Sequence, residues 1–358
     1  WRVKIWNVQS LYEDGDTPPK LQAVILVGQN VNCLRWSPDG SLLACGSDDC
    51  TAYIFKLARV MDDGDFVNDN LIFREYQLVH HLRGHTDSIT DLTFSPDGTK
   101  VATSSMDSRI IIWNTETGKQ IRSFERPVSV FGVAWDPIGL LLYAQDADGS
   151  IVYDLETNTE LTKINDPFKL ASHSNFALRS SWSPEGTQLL MVGAVTSKRY
   201  SACVTTRDFK KISSFQGHKN EVVCSRFSPY LYRFVNDMGK KRAFSCFVIG
   251  GLDNSLSVWA SKKDSKVCHF LNVFKGCVQD ITWLPGGYRF MACSVDGFVA
   301  FFEFSEEELG GKVSDKEYIE KNKKGILERL KKSKEVLTPT KKKLVSQQSK
   351  LTVADRKS

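Results

Sequence analysis

Three side chains between residues 85 and 107 could together perform hydrolysis: His85, Thr103 and Asp107. A histidine, a carboxylate and a hydroxyl group are the components of a nucleophilic triad. A nucleophile of this kind is typically presented on a sharp turn, and the chain contains no G-x-S-x-G elbow. The sequence therefore argues against a hydrolase and favours a structural role for these residues.

Histidines and cysteines are too dispersed along the chain to indicate a metal or cofactor site. The six histidines stand at positions 80, 81, 85, 173, 218 and 269, and the nine cysteines include no Cys-x-x-Cys pair. The cysteines lie in apolar stretches, which is typical of buried thiols in a reducing compartment. No apolar run reaches the roughly 18 residues that a membrane span needs. We predict no catalytic residue, metal, cofactor, small-molecule substrate or membrane partner.

A strand that ends in an aromatic residue and runs into a turn recurs six times. The copies are LRWSPDG, LTFSPDG, VAWDPIG, SSWSPEG, SRFSPY and ITWLPGG, with the aromatic residue at positions 36, 94, 135, 182, 227 and 283. Proline fits such a turn because its φ angle is already fixed, and glycine supplies the positive φ that closes it. Repeats at this spacing indicate a solenoid or a propeller.

A second signature follows most of these turns: an aspartate with an aromatic residue six positions later. The pairs are Asp49 with Phe55, Asp107 with Trp113, Asp253 with Trp259, and Asp296 with Phe302. The most regular copy, GHTDSITDLTFSPDGTKVATSSMDSRIIIWN, resembles the WD repeat, whose blades are four-stranded sheets around a central channel.

The WD resemblance implies a buried hydrogen-bonded chain inside a blade, from Trp113 through Thr103 and His85 to Asp107. A second copy is implied at His218, Asp253 and Trp259. There Ile249 stands where Thr103 stands in the first copy, so the second network is expected to be incomplete.

The first residues, WRVKIWN, alternate as in a β-strand, and KIWN matches IIWN at 111–114, the third strand of a blade. Counting third strands gives seven blades. We predict an all-β fold over residues 1–304, a seven-bladed WD-repeat β-propeller whose first blade is incomplete. About 35 to 40 upstream residues are expected to supply its two inner strands, judging from the usual repeat length.

Two insertions, at residues 58–76 and 230–246, interrupt the repeats. Both are predicted to be long loops, where binding residues tend to lie. A tolerated surface insertion without a partner is an equal alternative for each.

Residues 305–358 form a basic tail with 15 Lys and Arg against 9 Asp and Glu, while residues 1–304 carry 32 against 33. Apolar spacing predicts a helix over about 314–336, followed by a disordered segment. Lys341, Lys342 and Lys343 suggest nuclear localisation or contact with a polyanion, although a solvated tail is a common alternative. Thr338, which precedes a proline, is a possible phosphorylation site.

Several stretches together resemble the amino-terminal propeller of the histone chaperone subunit family HIRA. They include VNCLRWSPDGSLLACGSDD, ALRSSWSPEG, IGGLDNSLSVWAS and DITWLPGGYRFMACSVDGFVAFFEFSEEELG. The resemblance extends over nearly all of residues 1–310. A related propeller, the middle subunit of replication-coupled chromatin assembly factor, is the alternative, and DNSLSVW favours HIRA.

The HIRA resemblance implies a nuclear, non-enzymatic scaffold for replication-independent nucleosome assembly and transcriptional regulation. It implies a ubinuclein-type subunit on the propeller, with core histones bound through the complex and chromatin DNA contacted indirectly. It also implies an anti-silencing-factor chaperone on a later segment that ends in an arginine cluster. Residues 348–358 echo the start of that segment but lack the cluster, which puts this contact in doubt.

Overall fold

Each repeat of the chain folds into its own antiparallel sheet, because turns join strands that follow one another in sequence. The computed structural model describes residues 1–8, 19–61, 73–168, 175–210, 212–235, 241–261, 265–313 and 319–328. A first compact unit extends from Trp1 to Lys312, eight residues beyond the predicted end of the propeller, and residues 313–358 form a second.

Six sheets of three to five strands form the blades of a β-propeller, here called blades I to VI. Blade I contains β3 (Val31–Trp36), β4 (Leu42–Ser47), β5 (Thr51–Met61) and β6 (Phe73–Arg83). Blade II contains β7 (Ile89–Phe94), β8 (Lys100–Ser105), β9 (Arg109–Asn114) and β10 (Gln120–Glu125). Blade III contains β11 (Val130–Trp135), β12 (Leu141–Asp146), β13 (Gly149–Asp154) and β14 (Thr159–Ile164).

The second half of the propeller is less regular. Blade IV contains β15 (Ser181–Trp182), β16 (Gln188–Thr196), β17 (Arg199–Thr206) and β18 (Ile212–Gln216). Blade V contains β19 (Val222–Val235), β20 (Lys241–Gly251), β21 (Leu256–Ala260), β22 (Ser265–Phe270) and, beside β19, β26 (Gly311–Val313). Blade VI contains β23 (Val278–Trp283), β24 (Arg289–Ser294) and β25 (Val299–Glu303). Helical turns occur at Asp166–Phe168 and, as α1, at Glu306–Leu309.

The first strands, β1 (Arg2–Asn7) and β2 (Lys20–Leu26), form a separate two-stranded sheet that we call the amino-terminal strand pair. Val3 and Ile25 pack against Leu43 and Phe55 of blade I. Among the described residues no further strand joins this pair, and blade VI has three strands. The count of seven blades stays a prediction.

The core lies between neighbouring blades, where apolar side chains of facing sheets interdigitate. Cys33 and Ile54 of blade I share one cluster with Ile89 and Leu92 of blade II. Gly132 allows an especially close approach of blades III and IV, because a Cβ atom there would lie 1.8 Å from the Leu178 carbonyl oxygen.

Both insertions extend β-hairpins, a feature that the prediction of loops missed. The antiparallel pairing of β5 with β6 continues outward to Met61 and Phe73, and that of β19 with β20 continues to Val235 and Lys241. Residues 62–72 and 236–240 of the two insertions lie outside the described residues.

The last part of the first unit, residues 305–312, forms a structure that we call the carboxy-terminal clasp. Ser305 and Glu308 cap α1 reciprocally, and Leu309 is buried in the core cluster that contains Phe244. Gly310 turns the chain at φ +94°, where a Cβ atom would lie 3.0 Å from the Arg233 carbonyl oxygen. The extended hairpin of blade V is thus the surface on which the clasp is held.

In the second unit, residues 319–328 are helical, within the predicted 314–336. The rest of that predicted helix lies outside the described residues. The same is true of Thr338, Lys341, Lys342 and Lys343.

Candidate protein-binding site

The triad-like residues of blade II form a closed hydrogen-bonded chain. Trp113 Nε1 donates to Thr103 Oγ1 at 2.9 Å, Thr103 Oγ1 lies 2.8 Å from His85 Nε2, and His85 Nδ1 lies 2.9 Å from Asp107 Oδ2. Because the Asp107 carboxylate can only accept, Nδ1 carries the imidazole proton and Nε2 accepts from Thr103.

The pKa of Asp107 agrees with this assignment of protons in the blade II network. Burial alone would raise the pKa of the Asp107 carboxyl, but hydrogen bonds from His85 and from the Thr86 N–H hold it well below its usual range. Thr103 is fully buried. With its hydroxyl group already engaged and shielded from solvent, Thr103 is not presented as a nucleophile.

Blade V contains a complete network too, in contrast to the expectation that Ile249 would interrupt it. Ser257 supplies the hydroxyl: Trp259 Nε1 donates to Ser257 Oγ at 2.8 Å, and this oxygen lies 2.9 Å from His218 Nε2. His218 Nδ1 lies 3.0 Å from Asp253 Oδ1.

The two networks differ by an exchange across one hairpin. In blade II, Thr103 pairs with Ile111, and in blade V, Ile249 pairs with Ser257. In blade V the hydroxyl group therefore lies on the second strand of the hairpin instead of the first, and an isoleucine occupies the position that corresponds to Thr103. Both arrangements satisfy the indole N–H and the imidazole, so both networks serve as internal supports of a blade.

A cluster of charged side chains lies in the central channel, on or beside the innermost strands. Arg35 Nη1 lies 2.5 Å from Asp280 Oδ2, and Arg35 Nη2 lies 3.4 Å from Asp91 Oδ1. Arg226 Nη2 lies 3.1 Å from Asp280 Oδ1, and Arg179 Nε lies 3.4 Å from Asp280 Oδ2. We call these five residues the channel cluster.

Backbone pairing between blades fixes Arg179 in this position. Its N–H donates to the Val223 carbonyl at 2.8 Å, and its carbonyl accepts from Ser225 N–H at 2.8 Å. The segment before β15 therefore bridges to β19, which explains why the innermost strand of blade IV is short.

Asp280 is the centre of the channel cluster. Burial would raise the pKa of its carboxyl, but the guanidinium groups of Arg35, Arg226 and Arg179 hold it well below its usual range. Asp280 is therefore ionised, and its single negative charge is surrounded by three positively charged guanidinium groups.

The sequence contains a signal for these residues that the repeat motifs above do not include. Arg35 and Arg226 stand one position before the aromatic end of an innermost strand, whereas Asp91, Arg179 and Asp280 stand three positions before it. In a β-strand, residues two apart share a face, so both sets point to the same side. Charges on the channel face of otherwise apolar strands could have indicated the cluster.

A second cleft, of about 980 Å³, lies between blade VI and blade I, beside the amino-terminal strand pair. Arg35, Arg226 and Asp280 of the channel cluster also line it. Val3, Ile5 and Trp6 of β1 line one side, and Met291 and Val299 of blade VI line another. Within the described part of the chain, β1 pairs with β2 alone, so the cleft adjoins a strand edge without a partner.

Over the described ranges, no group of three or more His, Cys, Asp or Glu residues is arranged to hold a metal ion. No helix in this part of the chain is long and apolar enough to cross a membrane. None of the nine cysteines forms a disulfide, and five of them are buried.

Comparison with known proteins identifies the class of this propeller. A sequence profile described as the CAF1B/HIR1 beta-propeller domain matches residues 1–309. These residues include the amino-terminal strand pair, every strand of blades I to VI except β26, and most of the clasp. The chain therefore belongs to the CAF1B/HIR1 beta-propeller family.

Individual relatives narrow this assignment. The chain is 33% identical to Protein HIR1 of Mycosarcoma maydis over 290 residues, which are 80% of this chain and 28% of that protein. It is 33% identical to Protein HIRA homolog of Drosophila melanogaster over 332 residues, 88% of this chain and 31% of that protein. Against Protein HIRA of Homo sapiens the identity is 31% over 343 residues, 88% and 33%. The chain is a HIRA-family protein that spans about a third of the length of these relatives.

Proposed function

We propose that this chain is the propeller portion of a non-enzymatic scaffold subunit in a HIRA-type histone chaperone, acting in replication-independent nucleosome assembly and transcriptional regulation. The observation that carries the proposal is the family match over residues 1–309, which include every strand of the propeller except β26. The closed networks of blades II and V support a structural use of the residues that could otherwise suggest catalysis.

The proposed partner of the propeller is a ubinuclein-type subunit, with core histones held through the complex and chromatin DNA contacted indirectly. The even balance of charge over residues 1–304 supports protein recognition, because a near-neutral surface attracts neither basic histones nor DNA by bulk charge. Most of the binding energy is expected from a few well-packed anchor residues.

The basic tail is proposed to direct the protein to the nucleus. Lys341, Lys342 and Lys343 provide the concentrated positive charge. Phosphorylation of Thr338 would add about two negative charges beside them and weaken that signal.

The test is capture of partners from nuclease-treated nuclear extract by the tagged 358-residue chain. A variant with Lys341, Lys342 and Lys343 all replaced by alanine tests the contribution of this basic cluster, and the matched variant with arginine at the three positions retains the charge. We expect the wild type and both variants to retain a ubinuclein-type subunit equally, since the propeller carries this contact.

Two outcomes would reject the proposal. Loss of the partner in the alanine variant alone would place binding on the tail. Capture of the large subunit of chromatin assembly factor instead would favour the alternative that this is the propeller of a replication-coupled assembly factor, which shares the family profile.

A further inference from the structure

A small cavity of about 190 Å³ opens beside the channel cluster, at the end of the channel where the first strand of each blade turns into the second. Arg35, Arg226 and Asp91 of the channel cluster line it, together with Trp135 and Trp182. Pro137 and Pro184, from the turns that follow the two tryptophans, narrow it further.

The charge around this cavity is not balanced. The channel cluster contains three guanidinium groups and two carboxylates, which leaves one positive charge in excess. Arg226 is the most accessible of the three arginines, with 28% of its side chain exposed, and its carboxylate partner Asp280 is shared with the other two. A partly buried cation in this position is stabilised by a further anion.

Trp135 provides a second, independent observation. Its side chain is nine-tenths buried, and its indole N–H has no hydrogen-bond partner among the described residues. The corresponding tryptophans of other blades are satisfied: Trp182 Nε1 donates to the Ala134 carbonyl at 3.3 Å, and Trp283 Nε1 donates to the Arg226 carbonyl at 3.1 Å. A buried donor without a partner is uncommon in folded proteins and calls for an acceptor.

We propose that this cavity binds the carboxylate of an aspartate or glutamate side chain that belongs to an acidic segment of a partner protein. Trp135 Nε1 is itself enclosed in this structure, so the indole would turn toward the cavity as the carboxylate enters. The carboxylate would then accept a hydrogen bond from Trp135 Nε1 and pair with Arg226, which supplies the missing acceptor and the missing negative charge together.

A protein carboxylate fits this site better than a nucleic-acid phosphate. The cavity is narrow and is walled by two indoles and two prolines, so a single side chain can enter where a sugar–phosphate backbone cannot follow. The proposal goes beyond the proposed function, since it holds whichever protein supplies the carboxylate.

The test follows the indole N–H resonances of the ¹⁵N-labelled 358-residue chain by NMR during titration with the blocked tripeptide Ala-Glu-Ala. Trp135→Phe identifies the resonance of Trp135. The matched tripeptide Ala-Gln-Ala has the same shape without the charge, and inorganic phosphate serves as the alternative anion. We expect the Glu peptide to shift the Trp135 resonance saturably, and the Gln peptide to leave it in place.

Two further variants test the assigned partners. Arg226→Gln leaves two arginines facing two aspartates, so the excess positive charge of the channel cluster is removed. It is expected to weaken binding of the Glu peptide about tenfold. Arg199→Gln removes the same charge at an exposed residue outside the cavity, and it should not alter the affinity. The proposal would be overturned if the Glu peptide left the Trp135 resonance unshifted or if the Gln peptide shifted it equally. Tighter binding of phosphate than of the Glu peptide would also overturn it.

Discussion

At the scale of single residues, Thr103 joins three elements of blade II through one hydroxyl group. Replacing it by valine retains the shape but leaves Trp113 Nε1 and His85 Nε2 buried without a partner. Each unsatisfied buried group costs about 1–3 kcal/mol, so we expect Thr103→Val to lower the free energy of unfolding by about 2–4 kcal/mol. Urea denaturation measures this, with the exposed Thr159→Val as control. Equal stabilities of the two variants would show that the network is dispensable.

The depressed pKa values of Asp107 and Asp253 predict a loss of stability in acid. An aspartate whose pKa is lower in the folded state than in the unfolded state stabilises the fold fully above the unfolded value, about 3.9. That contribution is lost as the pH falls from about 4 toward the folded pKa. We therefore expect the urea midpoint of the wild type to drop steeply below pH 4. In Asp107→Asn the drop should be shallower, and parallel curves for the two proteins would contradict the assignment.

At the scale of the hairpin, the exchange between Thr103–Ile111 and Ile249–Ser257 can be reversed by mutation. Ser257→Ile should destabilise blade V by about 2–4 kcal/mol, because the Trp259 indole and the His218 imidazole lose their shared partner. Adding Ile249→Thr recreates the arrangement of blade II and should recover much of this loss. A double-mutant cycle from urea denaturation measures the coupling. Additive losses would mean that the two positions do not substitute for each other.

The clasp is the element that holds the end of the propeller unit against blade V. Leu309 is 1% exposed, and Tyr288 Oη both donates to the Gly310 carbonyl at 3.1 Å and accepts from Lys312 N–H at 3.0 Å. Leu309→Ala should cost about 2–5 kcal/mol of stability, the usual range for a buried leucine. Hydrogen exchange should accelerate in residues 306–312 and in β19. Leu271→Ala, at a residue that is 60% exposed, is the control and should leave exchange unchanged.

At the scale of the whole molecule, the cleft beside β1 is where the two predicted inner strands would lie. Trp6 and Trp36, which line it, are 47% and 45% exposed. A longer chain that supplies these strands should bury both indoles, pair the open edge of β1 and raise the melting temperature by several degrees.

Thermal unfolding and acrylamide quenching of tryptophan fluorescence measure the two effects of such an extension. An extension of equal length made of glycine and serine is the matched control, since it adds chain without apolar strands. If both extensions left the melting temperature and the quenching unchanged, the prediction of inner strands at this cleft would be wrong.

The sequence by itself determined the local repeat of this protein. The period-two alternation, the turn after each aromatic residue and the aspartate six positions before the next aromatic residue each depend on neighbours in the chain, so they could be interpreted without coordinates. Longer stretches around these motifs resemble the HIRA family, and the family profile together with the HIR1 and HIRA relatives confirms this.

Only the tertiary structure decided which residues meet across strands and blades. Ser257 completes the blade V network from β21, whereas the comparison with blade II placed the hydroxyl group on β20. Arg179 pairs with Asp280 although about a hundred residues separate them in the sequence. Closing a ring of sheets brings equivalent strand positions together in one channel, and this closure is a property of the whole fold. Local patterns predict an element, whereas the partners of a buried charge depend on how distant elements pack.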